Sequence, residues 1–408
     1  MSGALPTPKT KAGQMLIYMI FAMGAFDIGV GEASDTAQSY FETARTIFRQ
    51  TLLDEGSIEL VQALAIMGNY LQRRDTPNSG YMCLGLAIRM ATALGLHNPS
   101  ARRGPSPLDD EMRHRIWWGL VTLEAGCSLT FGRPPMLGYA SFLTSRIPAN
   151  VDDEDLGVGT MQPAQESSSV TLYSAVITQA RLAKVTFFLQ DRLARSLPAP
   201  TVAQIQWCGE YFHREVALLR PGPVSPDEPF ALARAVQAWR MRDYQSVIYR
   251  PVFLASAWDP QSRSDADPRV KIIIRFVPHV AMADFSSCRT LATENIRDIS
   301  LFAQRSDDHH RGCEWYILYF AFQACLTLLL SIVREPTNPD AEVWRKDVED
   351  TIRLFQQMTS KGKVRGGVWV ALKTDRNVIC AFHGKSPRRA TDTGSPDRAT
   401  TELCRSGG

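Results

Sequence analysis

Ser106-Pro-Leu-Asp109-Asp-Glu111-Met-Arg113-His-Arg115-Ile-Trp117-Trp118 begins the stretch that decides the fold, and Gly132-Arg133-Pro134-Pro135 closes it. A hydroxyl at the N-cap, proline at the first helical position and a carboxylate at the third are the chemistry of a helix start: the serine oxygen takes an orphan N–H, and proline has none to leave unpaired. Met112, Ile116, Leu120, Leu123 and Cys127 then recur on one helical face. Gly132 can adopt the left-handed conformation that ends a helix, and the two prolines cannot continue it. The chain just before reads the same way. Leu84, Ala87, Ile88, Ala91 and Leu94 form a stripe, Gly95 supplies a left-handed end, and Leu96 can fold back on the last turn.

Helical periodicity extends almost throughout. Phe41, Ala44, Phe48 and Leu52 share a face, as do Ile58, Val61, Leu64, Ala65, Gly68 and Leu71. Later faces are Tyr173, Val176, Ile177, Ala180 and Phe187; Phe285, Cys288, Ala292, Ile296, Ile299 and Ala303; and Trp344, Val348, Ile352, Phe355 and Met358. The expected architecture is all-α, a large array of packed antiparallel helices. Residues 149–169, 221–229 and 258–268 are rich in acidic, Gly, Ser or Pro residues and read as long loops. Residues 1–12 read as a tail and 13–360 as the helical body. From 361 to 389 there are eight basic residues and one acidic, net +7, which leaves −4 for the rest of a chain whose total is +3. Residues 368–372 and 378–382 alternate like strands, and the polar composition after Gly384 predicts disorder in the 361–408 tail.

Composition narrows the function. The 408 residues are 45% hydrophobic and 21% charged, enough to bury a substantial core. Net charge near zero does not mark the whole chain as a binder of nucleic acid or membrane. The eight cysteines include no C-x-x-C pair, which fits a reducing compartment. Two apolar runs imitate membrane segments. Met15 to Phe26 is shorter than the roughly 20 residues a span requires, and Ile317 to Val333 contains Gln323 and Thr327. Both read as core helices.

Motifs for catalysis are near misses. Gly384-Lys385-Ser386 has Ile379 where a phosphate loop needs glycine, and Gly29-x-Gly31 and Gly157-x-Gly159 lack a third glycine. No nucleophile elbow or zinc-protease motif occurs, so no enzymatic activity is expected. Asp307, Asp308, His309, His310, Cys313 and Glu314 cluster in sequence. Adjacent histidines on a helix diverge by about 100°, so this reads as a turn between helices. Arg113, His114 and Arg115 beside Trp117 and Trp118 suggest nucleic-acid contact, but Asp109, Asp110 and Glu111 adjoin them, which favours a buried helix with a charged first turn. Lys385-Ser-Pro-Arg388-Arg389 has the composition of an import signal.

Several segments together resemble one family. In order they are Ser57-Ile-Glu-Leu-Val-Gln-Ala-Leu64, the Gly80 to His97 segment ending Ala-Leu-Gly95-Leu96-His97, the Glu111 to Trp118 helix, Gly132-Arg133-Pro134, and an acidic loop after Ile147-Pro148. This order is similar to the fungal-specific transcription factor domain, the middle homology region of Gal4-type zinc-cluster regulators. Residues 36–155 carry the strongest likeness. Trp239 to Tyr244, Tyr249-Arg-Pro251, Ser287-Cys288, Trp315-Tyr316 and Val343 to Val348 extend it more loosely to residue 360.

The resemblance implies a nuclear regulator of RNA polymerase II transcription. It implies partners among related regulators (as homo- or heterodimers), the transcription machinery or a co-repressor, and a small-molecule effector, with no membrane. Zinc is expected only in an N-terminal cluster of six cysteines. The first cysteine here is Cys83, so this chain is expected to lack that module and to make no direct DNA contact. A DNA-free co-regulator or sensor that pairs with a full-length relative is the second reading. The matched core is Gly95, Leu96, His97, Glu111, Arg113, Arg115, Trp117, Trp118, Gly132, Arg133 and Pro134, expected to give structural support first. Trp117 or Trp118 should be buried, with Arg133 held by a carboxylate or by helix-end carbonyls.

Overall fold

The computed structural model describes residues 8–28, 32–51, 56–74, 76–98, 106–138, 145–156, 165–196, 200–217, 219, 230–257, 285–305 and 311–360. Among these residues there are eleven α-helices and no strand. They are α1 (Lys11–Ile28), α2 (Glu32–Thr51), α3 (Ile58–Arg73), α4 (Pro77–Ala93), α5 (Pro107–Phe131), α6 (Ser174–Ala194), α7 (Val202–Ala217), α8 (Ala231–Ala257), α9 (Phe285–Arg305), α10 (Arg311–Arg334) and α11 (Ala341–Ser360). The expected loops at 221–229 and 258–268, His309 and His310 of the polar cluster, the strand-like pairs and the basic tail lie outside the described residues.

The helix ends follow from local chemistry. Ser57 caps α3, its Oγ accepting from Leu60 N at 3.2 Å. Ser106 caps α5, accepting from Asp109 N at 3.2 Å and donating to Asp109 Oδ2 at 2.7 Å. Gly95 (φ 72°) follows α4, and the N–H of buried Leu96 reaches back to Ala91 O at 3.0 Å. Gly132 (φ 60°) ends α5, with Arg133 N on Ser128 O at 2.9 Å. No heavy atom lies within 4 Å of where a Cβ at Gly132 would stand. The cost of a side chain there is therefore backbone strain alone. Gly132→Val is expected to lower stability by about 1–2 kcal/mol. Thermal unfolding of the purified variant checks this, and an unchanged midpoint would contradict it.

Packing runs mostly between sequence neighbours: α1 on α2 and α3, α3 on α4, α5 on α4 and α6, α7 and α9 on α8, and α10 on α8, α9 and α11. α3 and α4 meet through glycine. A Cβ on Gly80 would come within 2.6 Å of Gly68 O, so the two backbones approach as only a bare Cα permits. The first core joins α1–α5 to Ala180, Ala183 and Phe187 of α6. Three further cores occupy the second half. α1 is a core helix, burying Met15, Met19, Ala22 and Phe26. α10 is long and apolar enough over Cys313–Ile332 to cross a membrane by composition. Here it buries Ile317, Phe320, Ala321, Leu328 and Ile332 against its neighbours.

One expectation about faces is corrected. Of the α5 stripe, Leu120 and Cys127 are buried, but Met112, Ile116 and Leu123 are only half-buried. The interior side carries Glu111, Arg115, Trp117, Trp118, Val121 and Glu124 instead. α5 lies between α4 and α6 and also touches α3, so it has no single solvent face for a stripe to oppose.

Candidate functional site

The motif residues fasten the joint between α4, α5 and the segment that follows. Glu111 is 4% exposed and accepts three bonds: from Arg115 Nε at 3.2 Å, Arg146 Nη2 at 2.7 Å and Ala149 N at 2.9 Å. Arg115, 5% exposed, also donates to Asp153 Oδ1 at 2.6 Å and Val151 O at 2.7 Å, and its guanidinium lies 3.3 Å from the Tyr173 ring centroid. The acidic loop therefore packs on α5 instead of floating free, with Asn150 Nδ2 holding Ser167 O and Ser169 O at 2.8 and 2.9 Å. Arg113 Nη2 binds Leu94 O at 3.0 Å, a carbonyl at the end of α4. A cation there suits the negative end of the helix.

Trp117 and Trp118 are both fully buried. Trp118 Nε1 donates to Arg146 O at 2.7 Å. His97 sets its ring 5.8 Å from that of Trp117. Arg133 is held differently from the expectation. It donates to the amide oxygen of Asn78 and lies over Tyr81 and Phe131, with centroids 4.5 and 5.3 Å away. The carboxylate near this turn, Glu124, accepts instead from Met136 N at 2.6 Å. Pro134 is exposed. The motif thus gathers into a structural clasp. Of the metal-like cluster, Cys313 and Glu314 are buried in α10, and no group of three metal-binding side chains occurs among the described residues.

The concave site lies elsewhere. A cavity of ≈ 620 Å³ opens between α3, α5 and α6 on one side and α8 and α10 on the other. Its apolar and aromatic lining includes Val236, Tyr244, Trp315, Tyr319 and Phe320. Among the described residues, its only charged lining residues are Arg73 and Arg240. Arg73 pairs with Asp27 Oδ1 at 2.7 Å. Arg240 Nη1 donates to Gln179 Oε1 at 2.5 Å. Both guanidiniums lie over Tyr316, 5.4 and 5.9 Å from its ring centroid. Burial raises that phenol, but the two cations more than offset the effect and hold it below the usual range. Burial pushes the Cys127 thiol up to about 12, which leaves it a neutral lining group and not a nucleophile.

Sequence reasoning did not assemble this cavity, because its residues come from five helices. Two local signals point to it in retrospect. Gly119 and Gly126 are seven apart in α5, and Trp315, Tyr316, Tyr319 and Phe320 form an aromatic row on α10.

Residues 2–185 match the family model of the fungal specific transcription factor domain. The lactose regulatory protein of Kluyveromyces lactis is 23% identical over 337 residues, 81% of this chain and 34% of that protein. An uncharacterized transcriptional regulatory protein of Schizosaccharomyces pombe is 34% identical over 125 residues, 29% of this chain and 16% of that protein. The ABC-transporter-regulating transcription factor of Aspergillus fumigatus is 23% identical over 338 residues, 78% of this chain and 35% of that protein. The chain spans about a third or less of the length of these relatives. No solved structure matches it. Residues 2–185 are therefore similar to the fungal specific transcription factor domain, and the relatives that the chain matches are fungal transcriptional regulators.

Proposed function

We propose that this chain is the regulatory body of a zinc-cluster-type transcription factor acting in the nucleus on RNA polymerase II genes, and that the cavity is its effector seat. Zinc and direct DNA contact belong to a cluster outside this body. The observation that carries the effector seat is the position of the cavity. Its walls come from α3, α5 and α6, within or overlapping the family match, and from α8 and α10 beyond it. A molecule that fills the space touches both halves at once. It therefore favours one packing of the halves over another, which is what an effector must do to shift an equilibrium. The clasp around Glu111 and Arg115 supplies the rigid frame against which the second half moves.

Filling the cavity by mutation tests the reading. A Cβ on Gly119 meets no heavy atom within 4 Å, so Gly119→Leu enters open space. The chain is placed between a heterologous DNA-binding domain and an activation segment and assayed on a reporter gene. Gly119→Leu is expected to change reporter output about fivefold, the equivalent of about 1 kcal/mol of coupling, with abundance unchanged. Equal output from the variant and the parent chain would overturn the proposal.

A further inference from the structure

The chemistry of the lining narrows what the seat accepts; this step rests on the effector reading above. Two cations and no carboxylate line the space. Arg73 has its counter-charge in Asp27, 2.7 Å away. Arg240 has a neutral hydrogen-bond partner, Gln179; it also acts electrostatically on the buried Asp243 carboxylate one turn along the same helix, but no direct ion pair to a carboxylate forms among the described residues. The Asp243 carboxylate on the same helix stands 4.0 Å from Arg250. One guanidinium in the wall thus makes no direct ion pair, in an environment that is otherwise apolar and aromatic. A guanidinium offers two parallel N–H donors, the geometry that a carboxylate accepts.

The shape adds a second restriction. Trp315 and Tyr319 lie parallel within 2°, their centroids 5.3 Å apart, and Phe320 and Tyr316 continue the aromatic row. α5 contributes Gly119 and Gly126, where an added Cβ meets nothing, or only the Tyr244 hydroxyl at 3.8 Å. Bare backbone and flat rings make room for a flat body. The volume of ≈ 620 Å³ suits a molecule of two or three fused rings.

We propose that the cavity seats a planar organic monoanion, a fused aromatic ring bearing one carboxylate, with the carboxylate on Arg240 beside Tyr316 and the ring along the Trp315–Tyr319 row. The anion supplies the charge that Arg240 lacks, and ring stacking supplies the apolar contact. A neutral molecule of the same shape gains the second and not the first.

Calorimetry on the full chain with 2-naphthoate and its neutral isostere 2-naphthamide tests this. The acid is expected to bind at least about tenfold more tightly than the amide, in keeping with a charge-assisted bond. Arg240→Gln is expected to abolish the preference, the acid binding no more tightly than the amide. Arg240→Lys, which keeps the charge but not the fork, retains part of it and covers the case in which the glutamine variant does not fold. Equal binding of acid and amide by the parent chain overturns the proposed ligand class, as does an acid preference that survives Arg240→Gln. Binding of neither probe also overturns it. Failure of the effector reading shows separately, as a reporter indifferent to Gly119→Leu.

Discussion

Replacing Glu111 by alanine is expected to destabilise the domain by about 3–5 kcal/mol, the cost of leaving a buried charge without its partner. Three donors lose their acceptor at once: Arg115 Nε, Arg146 Nη2 and the backbone N–H of Ala149. The Arg115 side chain is 3% exposed, so water cannot replace the lost carboxylate without opening the joint. Asp153 and Val151 O still hold the guanidinium. Asp153 is 65% exposed, however, and a solvent-facing carboxylate compensates weakly. Against a typical total of about 5–15 kcal/mol, the loss is a large share. Urea titration of the variant measures it as a lower midpoint at unchanged slope. A loss below about 1 kcal/mol would place the pair with ordinary surface ion pairs. Adding Arg115→Met to Glu111→Ala is expected to recover part of the loss, because an apolar replacement removes the stranded charge.

Trp118→Ala is the second large effect, at about 3–5 kcal/mol. The side chain is fully buried in the first core, and no adjoining helix is free to collapse into the space. Comparison with phenylalanine separates volume from hydrogen bonding. Trp118→Phe removes the Nε1 donor that Arg146 O accepts at 2.7 Å, a lost hydrogen bond worth about 0.5–1.5 kcal/mol. Trp117 is as deeply buried, yet its Nε1 meets no acceptor among the described residues. Trp117→Phe is therefore expected to cost less than Trp118→Phe. The reverse order in matched urea titrations would contradict this account of the joint.

Local features were legible in the sequence because their causes are local. Ser106, Asp109, Gly95 and Gly132 act on the four or five residues beside them, and each stands where its chemistry required. The all-α class followed from period alone. The inner face of α5 did not. A stripe is found by choosing apolar residues, and this helix buries Glu111, Arg115 and Glu124 while Met112 and Ile116 stay half out. Charge goes inside there because its partners come from Arg146, Ala149, Val151 and Asp153, some 35 residues on, which no helical period can anticipate. Arg133 shows the same limit. Its partners Asn78 and Tyr81 sit on the preceding helix, and neither is a carboxylate or a helix-end carbonyl. The cavity was less legible still, since Arg73, Arg240 and Tyr316 meet only after the chain has folded across five helices.

The family match ends at residue 185, inside α6, so the cavity takes walls from within the matched segment and from beyond it. The walls from α3 and α5 belong to the segment by which such regulators are known as kin. The walls from α8 and α10, with Arg240 and the aromatic row, lie beyond it. If the cavity is the effector seat proposed above, substitutions confined to those two helices would alter the molecule it accepts and leave the Glu111–Arg115 clasp intact.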